Sequence, residues 1–226
     1  MKVLAIFNKK DICLWAISVA VVTVAFLFGG DPDYMMLATS LLGVSALIFL
    51  AKGHYFGNVI IVIFCILYGF ISFKTKYYGE MATMLGMTLP MAVLAVVSWV
   101  KNPHDGEKTQ VEINNVGKKE IVTLLGITVL VTIAFYFILD FLGTASMLFS
   151  TLSIATSFFA ASLTYKRSEL YALAYGLNDM VLIILWAIAM LDDLSYITMV
   201  ICFVMFFIND IYGYISWLKM KKMQSK

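Results

Sequence analysis

Charge is what this sequence has least of. Only 13% of its 226 residues are Asp, Glu, Lys or Arg, while 62% are hydrophobic, against about 25% and roughly 45–50% in an ordinary soluble domain. A water-soluble fold cannot hide that much apolar surface. Polar intervals are short too. The longest, Lys101 to Glu120, has room for a short hairpin, with Gln110 to Ile113 alternating polar and apolar, but none for a catalytic domain. Histidine is limited to His54 and His104, both in polar intervals, so no cluster of His and acids supports metal chemistry. No Walker motif occurs. The three cysteines, Cys13, Cys65 and Cys202, fall inside apolar runs with neither a disulfide framework nor metal-ligand spacing, and read as packing residues. An enzyme with its chemistry in a soluble domain is excluded, and no cofactor, metal or nucleic-acid partner is expected.

What remains is long hydrophobic runs. A helix needs about 20 mostly apolar residues to cross about 30 Å of hydrocarbon. Eight stretches qualify: Ile12 to Phe28, Tyr34 to Leu50, Phe56 to Phe73, Met81 to Val100, Ile121 to Leu139, Ser146 to Leu163, Leu170 to Met190 and Ser195 to Trp217. The sequence therefore predicts an all-α integral membrane protein. The first run carries no small-x-small cleavage pattern around Phe26-Leu27-Phe28-Gly29-Gly30 and is expected to be retained as a helix.

The few charges are ordered. With the eight runs drawn as alternating crossings, 14 of the 16 Lys and Arg residues fall on one side: Lys2, Lys9, Lys10, Lys52, Lys101, Lys108, Lys118, Lys119, Lys166, Arg167, Lys219, Lys221, Lys222 and Lys226. Only Lys74 and Lys76 fall on the other, beside Asp31, Asp33, Asp140, Asp192 and Asp193. The positive-inside rule makes the basic side cytoplasmic, with both ends of the chain there.

Ser98-Trp99-Val100-Lys101 closes the fourth run and Ser216-Trp217-Leu218-Lys219 the eighth, 118 residues apart. The same offset sets Tyr68 on Trp186 and Tyr78 on Tyr196, so helices two to four overlay helices six to eight. The fifth helix joins the two units, and an odd single connector makes them parallel repeats. Such halves, related by an axis along the membrane normal, are a transporter architecture that holds solute near the midplane. Taken singly, Trp-x-Lys also reads as an interfacial anchor.

Polar groups at mid-depth are few. An ionisable side chain near the bilayer centre costs about 2.5–3.5 kcal/mol on insertion scales. Asn178 and Asp179 lie in helix seven, and Asn209 and Asp210 in helix eight, nearer the basic end where water reaches. Helical spacing aligns Tyr175, Asp179 and Trp186, and likewise Phe206, Asp210, Gly213 and Trp217 with Tyr212 beside them. In helix three it aligns Asn58, Cys65, Gly69 and Ser72 with Tyr68 alongside. These faces suit a heteroaromatic ring bearing hydroxyls, which stacks on Tyr and Trp while Asn and Asp bind the hydroxyls. Buried Asn and Asp in membrane bundles also serve simply to tie helices together. Tyr78 and Glu80, at an outer helix end, are gate candidates or a solvated cap. Pro90 predicts a kink in the fourth helix.

The sequence resembles the PnuC family of vitamin-precursor transporters, whose best-known substrate is nicotinamide riboside. Tyr77-Tyr78-Gly79-Glu80-Met81, Pro90, Trp99-Val100-Lys101-Asn102-Pro103, Asn209-Asp210-Ile211-Tyr212-Gly213 and Trp217 carry the likeness across nearly the whole chain. It implies a 3+1+3 core like that of SWEET proteins, preceded by one additional helix. The segments are then 1–30 for the additional helix, 31–103 for the first three-helix repeat, 104–143 for loop and linker helix, and 144–226 for the second repeat and basic tail. It further implies facilitated diffusion by alternating access in a bacterial inner membrane, with the cargo trapped by cytoplasmic phosphorylation. Assembly as a homo-oligomer, with a trimer as the candidate, goes with it. The substrate-binding set would be Asn178, Asp179, Trp186, Tyr175, Asn58, Tyr68, Asn209, Asp210 and Tyr212. Helix seven has one Trp, so a paired-Trp clamp would need Tyr175 or Tyr68 as its second aromatic. Thiamine, riboflavin and deoxynucleosides are alternative cargoes, and proton-coupled uptake and a membrane scaffold are the rival functions.

Overall fold

The computed structural model describes residues 6–28, 33–75, 77–104, 107–144 and 146–225. Lys2, Gly29, Gly30, Asp31, Lys76 and Lys226 lie outside them. Among the described residues, eight helices are long and apolar enough to span a membrane: α1 Lys9–Phe28, α2 Tyr34–Ala51, α3 Phe56–Lys74, α4 Tyr78–Lys101, α5 Lys118–Phe141, α6 Met147–Tyr165, α7 Leu170–Met190 and α8 Leu194–Gln224. Their bounds agree with the apolar runs to a few residues, except that α8 continues seven residues past Trp217 along its basic tail.

Short polar residues set the ends. The Asp33 carboxylate accepts from the Met35 and Met36 amides at 2.9 and 3.2 Å, satisfying two of the orphan N–H groups that open α2. Asp193 does the same for the turn leading into α8, accepting from Ser195 N–H at 2.9 Å. At the far end of α2, Gly53 adopts φ +66°, which lets the His54 amide reach back to the Phe49 carbonyl at 3.0 Å.

Inside α4 the ladder is irregular. Met84–Thr88 form a π-helical stretch directly before Pro90. Proline has no N–H to give, and the widened turn absorbs the mismatch. The break expected at Pro90 thus begins a turn earlier, at a feature with no sequence signature.

Six helices close a ring: α2 packs on α3 and α8, α3 on α4, α4 on α6, α6 on α7 and α7 on α8. The other two stand outside, α1 against α2 and α8, and α5 against α6 and the start of α4. Burial marks the difference. Of the most apolar stretch of α1, 22% is buried, and of α5, 6%, against 33% to 56% for the six ring helices. Leucine, valine and phenylalanine side chains on α5 face outward, where in water they would aggregate and in a bilayer they meet lipid. Cys13, on α1, is exposed in the same way, unlike the buried Cys65 and Cys202.

Ion pairs show which helix ends share a face. Lys52 meets Asp11 at 2.7 Å, Lys166 meets Glu120 at 3.0 Å and Lys221 meets Glu169 at 2.6 Å. Lys74 and Asp33 pair at 3.4 Å between the opposite ends of α3 and α2. The alternation demanded by the charge pattern therefore holds. Between α4 and α5, Pro103–His104 (β1) pairs antiparallel with Glu107–Val111 (β2). The hairpin is seated on the basic face: Val111 N–H donates to Gly53 O at 2.9 Å, and the Gln224 carboxamide donates to Val111 O at 3.0 Å.

Candidate functional site

The ring surrounds a cavity. It runs from mid-depth toward the basic face and is walled by all six helices, from Leu47 on α2 to Asp210 on α8. About 70 Å³ is open inside it, well below the roughly 300–1,000 Å³ of pockets that enclose drug-sized ligands. The ring is therefore contracted around an incipient site, and a nucleoside-sized guest needs its walls to separate.

Most of the wall is apolar: Phe64, Cys65, Met84, Met91, Leu182, Phe203 and Phe206. Set into it are Asn58 from α3, Thr88 from α4, Ser157 and Thr164 from α6, Tyr175, Asn178 and Asp179 from α7, and Asp210 from α8. The Asp179 and Asp210 carboxyl groups are close enough to interact directly. None of the described lining residues is Lys, Arg or His. Asn178 is held in place because its carbonyl oxygen accepts from Thr156 Oγ1 at 2.8 Å. In contrast, Asn58 Nδ2, Thr88 Oγ1 and Asp179 Oδ2 are buried with no hydrogen-bond partner among the described residues. An orphaned buried donor or acceptor costs about 1–3 kcal/mol, so three around one cavity describe groups held ready for a polar guest.

Aromatic layers bound the cavity at both ends. Toward the acidic face, the Trp186 indole donates to the Tyr68 hydroxyl at 2.7 Å, and the rings of Tyr77 and Tyr196 lie 5.3 and 5.4 Å from it. Trp186 and Tyr68 are both completely buried. Toward the basic face, Trp99 and Trp217 lie 5.4 Å apart, with Tyr171 4.8 Å from Trp217. Their indoles donate to the carbonyls of Thr164 and Leu50, each at 2.8 Å. Neither is an interfacial anchor: both are buried, and each ties down the end of a neighbouring helix.

Asn58, Tyr175, Asn178, Asp179 and Asp210 therefore meet in the cavity as their helical faces imply. Tyr68 and Trp186 close its outer end instead of lining it. Asn209 and Tyr212 turn away. The Asn209 amide donates to Ser18 Oγ on α1 at 2.9 Å, and the Tyr212 hydroxyl donates to Asp11. Both bind the additional helix to the ring, and burial of Asn209 and Asp210 replaces the water access expected for them.

The two gate candidates separate. Tyr78 packs at 6.1 Å from Phe73, away from Trp186, and its neighbour Tyr77 takes the stacking position. Glu80 is not a solvated cap: it is 1% exposed beside Tyr68, with no hydrogen-bond partner for either carboxyl oxygen among the described residues. Thr88 and Thr164 carried no sequence signal of their own, and Tyr196 was marked only by its place in the 118-residue offset. They are ordinary helix residues until the packing is known.

An all-α bundle with a small, acid-bearing cavity closed off by aromatic residues at both ends is the form of a membrane carrier for a compact organic solute. The nicotinamide mononucleotide transporter family matches residues 33–219, and the chain belongs to that family. Among characterised relatives, the nicotinamide riboside transporter PnuC of Neisseria mucosa is 26% identical over 207 residues, 89% of this chain and 78% of that one. The Haemophilus influenzae nicotinamide riboside transporter PnuC is 26% identical over 196 residues, 84% and 82% of the two chains. The crystal structure of the vitamin B3 transporter PnuC superposes with a TM-score of 0.84 at 22% identity, covering 96% of this chain and 94% of that one. The fold is thus that of a transporter, and the chain is a multi-pass membrane protein and no enzyme.

Proposed function

We propose that this protein carries nicotinamide riboside across a bacterial cytoplasmic membrane by facilitated diffusion, with the basic face in the cytoplasm. The observation that carries the reading is the pairing of Asp179 and Asp210 in a cavity without a cationic side chain. Nicotinamide riboside bears a positive pyridinium ring. A unit charge about 5 Å from a carboxylate gains about 3 kcal/mol at an effective dielectric constant of 20. The phosphate of the mononucleotide would be repelled on the same scale. Between the mononucleotide in the family's name and the riboside in its relatives' names, the cavity favours the riboside. Asn58 and Thr88 then offer donors to ribose or carboxamide oxygens.

The 3+1+3 arrangement is part of the proposal. Its support is that residues 118 apart meet in space at both ends of the bundle: Tyr68 with Trp186, and Trp99 with Trp217. Equivalent residues of two repeats touch only where they flank the axis relating them. Two such contacts, one on each side of the cavity, support an axis along the membrane normal. Alternating access then consists of parting one aromatic layer while the other stays closed. A homo-oligomer also belongs to the proposal, and the outward apolar face of α5 is the surface it would use.

Binding by purified protein tests the cargo. Nicotinamide riboside should bind at least tenfold more tightly than its mononucleotide, thiamine, riboflavin or a deoxynucleoside. Selective binding of one of those instead would retain the carrier and replace the cargo. A second reading, proton-coupled uptake, draws on the buried, unpartnered Glu80 beside the outer aromatic layer. Uptake that collapses with an uncoupler in cells lacking the trapping kinase would favour it over facilitated diffusion.

A further inference from the structure

A second cavity lies outside the ring, on the basic face. It is a cleft of about 840 Å³ between the start of α1, the α2–α3 turn and the end of α8. Lys9, Lys10, Lys52 and Lys219 line it, together with Asn8, Gln110 and Tyr212. Three separate stretches of chain thus bring four ammonium groups to one place. Lys52 is already engaged by Asp11, which also accepts from the Tyr212 hydroxyl. Lys9, Lys10 and Lys219 have no ion-pair partner among the described residues. The first turn of α1, where Lys9 and Lys10 stand, adds the positive end of a helix dipole.

Simple solvation accounts for lone lysines on a cytoplasmic rim, yet it does not account for the rest of the wall. Ile215, one turn nearer the membrane than Lys219, lines the same cleft and is 46% exposed, and the exposed Ile211 and Ile208 continue its face along α8. Ammonium groups above and bare apolar side chains below match an amphiphile, with its anionic head at the rim and its chains along the membrane face of α8. A free phosphate would use only the upper half. Basic pockets at the cytoplasmic ends of transmembrane helices are suited to anionic lipid headgroups.

We propose that this cleft binds one anionic phospholipid of the adjacent leaflet, its phosphate held by Lys9, Lys10 and Lys219. A lipid seated there bridges α1 and α8, so it should stabilise the folded chain by mass action. The test is thermal unfolding of the full chain in a phosphocholine detergent during titration with phosphatidylglycerol. The expected result is a rise in Tm of about 2–4 °C or more, with no comparable rise for phosphatidylcholine, inorganic phosphate or glycerol phosphate. The triple variant K9Q, K10Q, K219Q should lose the rise. A control triple, K101Q, K118Q, K119Q, removes the same charge from the same face away from the cleft and should keep it. An unchanged rise in the first variant, an equal loss in the control, or full reproduction by inorganic phosphate would each overturn the proposal. Phospholipid counted in the purified protein gives an independent readout, and should fall only in the first variant.

Discussion

Replacing Asp179 and Asp210 together with asparagine separates charge from shape. Asp179 Oδ2 has no hydrogen-bond partner among the described residues, so an amide there breaks no internal bond, and both side chains keep their outlines. What the double change removes is the negative charge that the two adjoining carboxyls hold between them by sharing a proton. At about 5 Å and an effective dielectric constant of 20 that charge contributes about 2–3 kcal/mol to a cationic ring, or roughly 30- to 150-fold in Kd. The reduced riboside, in which the ring is a neutral dihydropyridine, has nearly the same size and hydroxyls. Titration by quenching of the intrinsic tryptophan fluorescence would measure both ligands. Nicotinamide riboside should lose about 30-fold or more on substitution, while the reduced form should change by less than about 3-fold. Equal losses for both would mean that the two carboxyls act only through hydrogen bonding or packing, and the electrostatic account of cargo selection would fail.

Other outcomes follow from the same geometry. Asn209→Ala should lower stability by about 0.5–1.5 kcal/mol, because its hydrogen bond to Ser18 on α1 goes while the Ser18 hydroxyl still donates to Leu14 O; riboside Kd should stay within about twofold. Gly43→Ala places a methyl 2.2 Å from Phe206 Cζ and 3.0 Å from Phe64, both of which wall the cavity; binding should weaken by an order of magnitude or more with the fold retained by circular dichroism. His54 Nδ1 accepts the Phe56 amide proton, and burial holds its pKa below the usual 6.5. The unfolded chain then binds the extra proton first, so stability present above about pH 6.5 is lost as the pH falls through the lower native value. The drop in Tm between pH 7.5 and 5 should shrink in His54→Asn, whose amide oxygen keeps the acceptor without titrating.

Apolar length and lysine placement were enough to mark every spanning helix, because a bilayer imposes both on the sequence directly. An offset between two Trp-x-Lys ends carried the proposed repeat, but the role of those indoles was not legible: an indole at a helix end reads the same whether it faces headgroups or a neighbouring helix carbonyl. Helical periodicity brought Asn58, Tyr175, Asn178 and Asp179 to the cavity. It could not choose between Asn209 and Asp210. They stand about 100° apart on one helix, and polar partners await on both sides, Ser18 of α1 on one and the cavity on the other. Glu80 turned on three residues of helix boundary: α4 starts at Tyr78 and not near Met81, which carries the carboxyl inside the bundle instead of onto its end.

The unequal division of polar groups around the cavity has a consequence for how cargo sits. A cavity on a true twofold axis would offer any unsymmetrical solute two indistinguishable poses. Here both carboxyls, Asp179 and Asp210, come from α7 and α8, while the unpartnered Asn58 and Thr88 come from α3 and α4. Head and tail of the guest are therefore told apart. A riboside would enter with its charged ring committed to α7 and α8 and its sugar to α3 and α4, and would travel in a single orientation from one side of the membrane to the other.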